Sequence, residues 1–244
     1  MTLMEAYALL GGDLAETVSR LGNCSLLLKH LKQFPEDRAM RMLRAAVKAG
    51  NEAEVWRAAH GLRGVCRTLG LHYLAEAAGQ CMAAPGVAWE PLEREYDRAV
   101  AVIGFVSDSV ENRVKTVEQP RCFDGLRALL AEDDRLCAET SAGLLAGLGL
   151  RVRVARDGDE AVRLAGAGGF DCVFLDAHMP GADGPSAVRD IRRALPDAPI
   201  FVMTAGMLPK EEEQMRAAGM RARIDKPADR AILTRLLSEV FPTR

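Results

Sequence analysis

The sequence predicts two domains of different class: an all-α antiparallel helical bundle, then an α/β doubly wound sheet of five parallel strands. Three observations carry this. Apolar residues in the first 110 positions recur at helical spacing. From about 123 onward they fall in short runs separated by helical stretches, β then α, five times over. Between the two, residues 111–122 are polar and hold Pro120, the composition of a linker. A length of 244 residues suits one or two domains at a prior of about 150 residues each. The division is therefore 1–110, a helical bundle; 111–122, a linker; and 123–244, the sheet domain.

Within the bundle, Leu27, Leu31 and Phe34 share a helical face, and so do Met40, Leu43 and Val47. Pro35 stands between the two sets and is expected to kink or split that segment. Further helices are expected at about 51–67, 71–83 and 89–109, separated by Gly50-Asn51, Gly70 and Pro85-Gly86. Amphipathic helices with such short connections pack as an antiparallel bundle. In the second domain the strand-like runs are 126–131, 152–155, 172–175, 200–203 and 222–224.

Composition excludes several classes of function. The 32 basic residues are balanced by 34 acidic ones, and residues 1–110 hold 12 and 13 of these, so neither half is a broad electrostatic surface for nucleic acid. No apolar run reaches the ~20 residues of a membrane span, and the first residues lack the basic-then-apolar pattern of a secretion signal. The six cysteines form no C-x-x-C pair and sit in no histidine-rich cluster, which argues against structural zinc or a disulfide framework. Scattered cysteines with apolar neighbours suit a reducing compartment, so a cytoplasmic location is expected.

One histidine of the bundle stands apart. On a helix over 51–69, Val55, Ala58, Ala59, Leu62, Val65, Cys66 and Leu69 form the core stripe, and His60 falls about 160° from its centre. It is expected to face solvent, amid Arg57, Arg63, Gly64 and Arg67. Gly64 lies one turn on, and a glycine inside a helix costs up to about 1 kcal/mol relative to alanine. The offsetting gain is access: another protein's active site can approach the imidazole. A neutral imidazole nitrogen is a nucleophile toward phosphorus, and guanidinium groups such as Arg63 can hold the resulting charge. The plainer alternative is a surface histidine in an arginine-rich helix. His30 and His72 lack such surroundings and read as structural.

The second domain concentrates its chemistry where ligands bind in open parallel sheets, at the carboxyl ends of the strands. Glu132, Asp133 and Asp134 follow the first strand, the third ends at Asp176, the fourth at Thr204, and the fifth leads to Lys226. Clustered carboxylates repel one another and call for a cation, and oxygen-only ligands suit Mg2+. Asp176 can then act as a nucleophile toward phosphorus, with Mg2+ and Lys226 neutralising the phosphoryl oxygens. The Thr204 hydroxyl can donate to one such oxygen, and Ala205 leaves room for a phosphodonor. Any one of these acids alone could be a helix cap.

Both halves resemble known families. Ala59-His60-Gly61-Leu62-Arg63-Gly64, then Leu69-Gly70 and Leu74-Ala75, with Phe34 and the Ala45-Ala46…Ala49-Gly50-Asn51 helix end, resemble the signature of histidine-phosphotransfer (HPt) domains over about 10–108. The resemblance implies that His60 is a phosphoacceptor; Arg63 stands where that family more often has lysine, with the charge kept. The glycine-rich nucleotide boxes of a histidine kinase are missing from the sequence, so His60 is expected to receive phosphate rather than take it from ATP.

Glu132-Asp133, Leu175-Asp176, Met179-Pro180-Gly181-Ala182-Asp183-Gly184, Thr204-Ala205 and Lys226-Pro227 resemble the receiver domain of two-component response regulators over about 125–242. That implies a flavodoxin-like fold with strand order 2-1-3-4-5. It implies Mg2+ on Glu132, Asp133, Asp176 and the backbone carbonyl of His178, with Asp134 starting a helix and the Lys226–Pro227 bond cis. The family usually carries an aromatic switch residue three positions before the lysine. Arg223 occupies that place here, so the output face is expected to work differently. The His178 side chain is expected to border the path of the hydrolytic water and tune the lifetime of an aspartyl phosphate.

Together these imply a two-module phosphorelay protein, a phosphotransfer signalling protein rather than an enzyme with its own substrate, apart from self-catalysed gain and loss of phosphate by the receiver. The implied partners are a sensor histidine kinase and a downstream response regulator or HPt protein, with no nucleic acid and no membrane. With no output domain after residue 244, any effect on transcription is expected to need another protein. Two alternatives are a non-exchanging adaptor that docks partners through one degenerate module, and a phosphohydrolase of the haloacid-dehalogenase type. The latter generally has a second Asp two residues after the nucleophile, where this chain has His178.

Overall fold

The computed structural model describes residues 1–22, 24–107, 122–179 and 183–241. The chain forms two compact units, Met1–Val117 and Glu118–Arg244. The expected linker, 111–122, lies outside the described residues except for Cys122.

The first unit is helical. Its elements are α1 (Leu3–Leu10), α2 (Leu14–Leu21), α3 (Cys24–Gln33), α4 (Arg38–Ala49), α5 (Glu52–Thr68), α6 (His72–Ala83) and α7 (Pro85–Gly104). Local chemistry sets the starts. Thr2 and Glu5 close a capping box on α1, and the side chains of Asp13, Asp37 and Asn51 accept backbone N–H bonds at the starts of α2, α4 and α5. Pro35 does split its segment: a 3₁₀ turn over Phe34–Glu36 separates α3 from α4. The helix expected from about 89 begins at Pro85 instead, because proline fits the first helical turn, where its missing N–H is not needed.

In this unit α4 packs on α5, α5 on α6 and α6 on α7. Leu27, Leu31, Phe34, Leu43, Val55, Leu62, Val65 and Leu69 are buried between them. Two side chains tie down the end of α5: the Tyr7 hydroxyl donates to the Leu69 carbonyl at 2.6 Å, and the Arg20 guanidinium donates to the Arg67 carbonyl at 2.9 Å. Gly70, just beyond, has φ +70, and a Cβ there would meet Thr17 Oγ1 at 2.3 Å, so both conformation and space call for glycine.

The second unit alternates strand and helix: β1 (Arg127–Ala131), α8 (Arg135–Gly147), β2 (Arg151–Ala155), α9 (Gly158–Gly166), β3 (Cys172–Asp176), α10 (Gly184–Ala194), β4 (Ile200–Thr204), α11 (Pro209–Ala218), β5 (Ala222–Asp225) and α12 (Arg230–Ser238). All strand pairs are parallel, in the order β2-β1-β3-β4-β5. β3 and β4 are buried along their whole length, which requires cover on both faces. Alternate residues supply it. Val173, Leu175 and Val202 pack with Ala161, Ile191 and Met215 of α9, α10 and α11. Phe174, Phe201 and Ile224 pack with Leu145, Leu233 and Leu237 of α8 and α12. This is the doubly wound sheet expected, and β1 lies at its switch point, flanked by β2 and β3.

The six cysteines are free thiols. Among the described residues no helix is long and apolar enough to cross a membrane.

Candidate functional site

The parallel register brings the carboxyl ends of β1, β3, β4 and β5 to one edge. Ala131 pairs with Leu175, Asp176 with Met203, and Thr204 with Asp225. The residues leaving those ends are therefore neighbours, although the sequence spreads them over almost a hundred positions. Glu132, Asp133 and Asp176 each offer a carboxylate oxygen within 4.8 Å of the others. The Lys226 Nζ donates to Asp176 Oδ2 at 2.7 Å and to Glu132 Oε2, and all three of these side chains are buried.

Three carboxyl groups converge here, and the Lys226 ammonium faces two of them. Burial pushes the Glu132 carboxyl well above the usual carboxylate range; the Lys226 charge opposes this and the Asp176 charge adds to it. Burial also works to strip the proton from Lys226, but the Asp176 and Glu132 carboxylates outweigh it and hold the amine well above the usual lysine range. The converging donors are all carboxylate oxygens, which fits a hard divalent cation.

The other residues singled out from the sequence are placed less uniformly. Asp134 turns away from the carboxylates and caps α8, accepting the Cys137 N–H at 2.9 Å. Lys226–Pro227 is the cis bond expected. Thr204 is fully buried, but its hydroxyl donates to the Gly206 carbonyl at 2.7 Å and accepts the Gly206 N–H at 3.1 Å. The hydroxyl thus closes a turn that shapes the loop after β4, since a threonine hydroxyl at a strand end bonds readily to backbone two residues on. Ala205 is buried beside it.

The His178 backbone N–H donates to Asp176 Oδ1 at 3.1 Å. Its imidazole Nε2 reaches Glu211 Oε1 of α11 at 2.8 Å. Arg223 holds Asp225 Oδ1 through Nε at 2.8 Å and Glu212 Oε2 of α11 at 3.1 Å, so the place expected for an aromatic switch carries an ion-pair cluster. Of the Met179–Gly184 motif, 180–182 lie outside the described residues. Gly184 starts α10 where a Cβ would meet the Ala177 carbonyl at 2.8 Å and Met215 Cε at 2.2 Å. Glu211 was missed in the sequence because it sits in a Lys210-Glu211-Glu212-Glu213 run that reads as a solvated helix face.

In the helical unit, the core stripe of α5 is as expected, with Val55, Ala59, Leu62, Val65, Cys66 and Leu69 buried. Trp56 falls on the same outer face as His60, one turn earlier, and stacks on its imidazole, with ring centroids 5.1 Å apart and planes at 24°. Gly64 is buried and Arg63 half-buried. The Arg63 guanidinium reaches toward Gly79 of α6, where a Cβ would sit 3.5 Å from Nε. His30 is buried and His72 is exposed.

Comparison with known proteins bears on the second unit. Residues 128–238 match the response regulator receiver domain family. The chain is 39% identical over 119 residues to the sensor histidine kinase AruS of Pseudomonas aeruginosa, covering 47% of this chain and 12% of that protein. It is 38% identical over 113 residues to the transcription factor SKN7 of Chaetomium thermophilum, covering 46% and 15%. It is 36% identical over 101 residues to a response regulator receiver protein of Anaeromyxobacter, covering 41% and 42%. The chain thus spans less than half the length of each of these relatives. A solved structure of the receiver domain of a Pseudomonas aeruginosa sensor histidine kinase, described with magnesium coordinated in its active site cleft, is 36% identical, covers 48% of this chain and 97% of its own, and has a TM-score of 0.45.

Proposed function

We propose, from a C-terminal unit that is a response regulator receiver domain, that this protein is a phosphorelay component: Asp176 takes a phosphoryl group and His60 of the helical unit holds one in turn. The observation that supports this most is the buried Asp176 carboxylate at the end of β3, held by Lys226 at 2.7 Å and flanked by Glu132 and Asp133.

Each group has a task in that reading. Asp176 attacks phosphorus through a carboxylate oxygen, and the donor's leaving group departs with its electron pair. Lys226, already aimed at that carboxylate, offsets charge on the transferring oxygens. Glu132, Asp133, Asp176 and the His178 carbonyl are the residues that would hold Mg2+, which when bound supplies positive charge beside those oxygens. Ala205 keeps the entrance small-sided. Arg63 and Gly64 serve His60, the first by charge and the second by placing no side chain one turn beyond the ring.

The partners in this reading are a sensor histidine kinase on one side and a response regulator or HPt protein on the other. That a sensor kinase and a transcription factor share receiver sequence with this chain supports such a place between input and output. The protein is then a phosphoprotein of the cytoplasm, with self-catalysed gain and loss of phosphate as its chemistry. The test is to incubate the full chain with a radiolabelled acyl-phosphate donor and Mg2+. Base-labile label on the parent chain and none on Asp176→Asn is expected; label that persists on Asp176→Asn, or none on either, overturns the reading.

A further inference from the structure

Both ends of the phosphoacceptor pocket are fastened to the first turn of α11. His178 follows Asp176 by two residues, gives its backbone N–H to Asp176 Oδ1, and sends its imidazole to Glu211. Arg223 precedes Lys226 by three residues and sends its guanidinium to Glu212. Adjacent carboxylates of one helix thus hold a residue next to the nucleophile and a residue next to the lysine. The His178 and Glu211 side chains are only 12% and 23% exposed, a more sheltered pairing than those typical of the surface.

The position of the imidazole gives the pairing a consequence. One of its nitrogens lies within 4.8 Å of an Asp176 carboxylate oxygen. Water poised to attack phosphorus stands about 3–3.5 Å from it. Adding the bond between the carboxylate and phosphorus brings such a water to a similar distance from Asp176. A fixed imidazole therefore stands at about the distance from Asp176 at which attacking water would stand. A free one would swing about its side-chain torsions and leave that path open part of the time.

We propose that Glu211 is a positioning residue that pins the His178 imidazole beside Asp176 and so slows hydrolysis of the aspartyl phosphate. In that hydrolysis a water oxygen bonds to phosphorus, the bond from phosphorus to the Asp176 oxygen breaks with its electron pair returning to the carboxylate, and the released protons pass to solvent and inorganic phosphate. The inference rests on Asp176 being the phosphoacceptor. It assigns a role to α11 that the acceptor set itself does not contain.

The experiment uses the full chain carrying His60→Gln, so that water is the route off Asp176. The chain is labelled with radioactive acetyl phosphate, the donor is removed, and loss of label is followed. Glu211→Ala and His178→Ala should each speed the decay roughly three- to tenfold, the factor that one ordinary hydrogen bond supports. The double variant should decay no faster than His178→Ala alone, because both changes remove one interaction. Glu211→Gln keeps an acceptor for the Nε2–H and should decay within about twofold of the parent by the same measure. Additive effects, or Glu211→Ala decaying at the parent's rate after normal labelling, overturn the positioning role and leave Asp176 as acceptor intact. A parent chain that takes no label overturns both readings.

Discussion

Replacing Lys226 with methionine removes the ammonium that faces Glu132 and Asp176 while keeping an unbranched side chain of similar length. The three side chains are buried to within a few per cent of complete, at 8%, 1% and 6% exposure, so water does not take over the lost interaction. Breaking a buried pair in this way costs about 3–5 kcal/mol, a large share of the ~5–15 kcal/mol that holds a domain together. The loss depends on pH. The Glu132 carboxyl is raised by burial, so its favourable contribution is complete below the usual carboxylate range and disappears as pH rises through the raised value. Without Lys226 that value climbs further, and the deficit is greatest at neutral to alkaline pH. Tryptophan fluorescence would be a poor probe, since Trp56 and Trp89 both belong to the helical part. Hydrogen exchange of peptides from 128–238 reads the receiver directly. With chelator at neutral pH, Lys226→Met should lose about 3–5 kcal/mol of protection in the strands, and millimolar Mg2+ should restore more to the variant than to the parent. Equal protection in the two proteins, or an equal gain from Mg2+, would refute the view that Lys226 and a divalent cation stabilise the same carboxylates.

Three further outcomes follow from the same geometry. Mg2+ binding should release protons as Glu132 ionises, so apparent affinity should rise with pH through the raised Glu132 value and then level off; calorimetry in buffers of different ionisation heat measures this, and Glu132→Gln should abolish the release. Asp134→Ala should cost about 1 kcal/mol of receiver stability in urea unfolding through loss of the α8 cap, yet take up label at Asp176 as the parent does; failure to label would make Asp134 a ligand. Arg223→Ala breaks partly exposed pairs to Glu212 and Asp225, so its cost should stay within about 1 kcal/mol, with faster hydrogen exchange confined to the start of α11 and β5.

The sheet was legible in the sequence because its central strands are covered on both faces. Cys172–Asp176 and Ile200–Thr204 appear as short unbroken apolar runs ending in a chemically distinct residue, and those ends are where parallel topology gathers side chains. Asp176, Glu132, Asp133 and Lys226 could therefore be assembled by listing strand ends. What one wheel or one strand cannot convey is lateral contact. Nothing in the spacing says that the Thr204 hydroxyl turns to Gly206, that Trp56 lies on His60, or that Glu211 in an acidic run binds His178. Each depends on rotamers or on an approach between elements distant in sequence, which periodicity does not encode.

A phosphorelay component passes phosphoryl groups between its two acceptors. The decisive measurement is to label the full chain with a small phosphodonor and Mg2+, then separate acid-labile label on histidine from base-labile label on aspartate. The expected result is acid-labile label at His60 in the parent chain, lost in both His60→Gln and Asp176→Asn, with base-labile label surviving in His60→Gln. Acid-labile label at His60 that is indifferent to Asp176, or its absence from a parent chain fully labelled at Asp176, would contradict it.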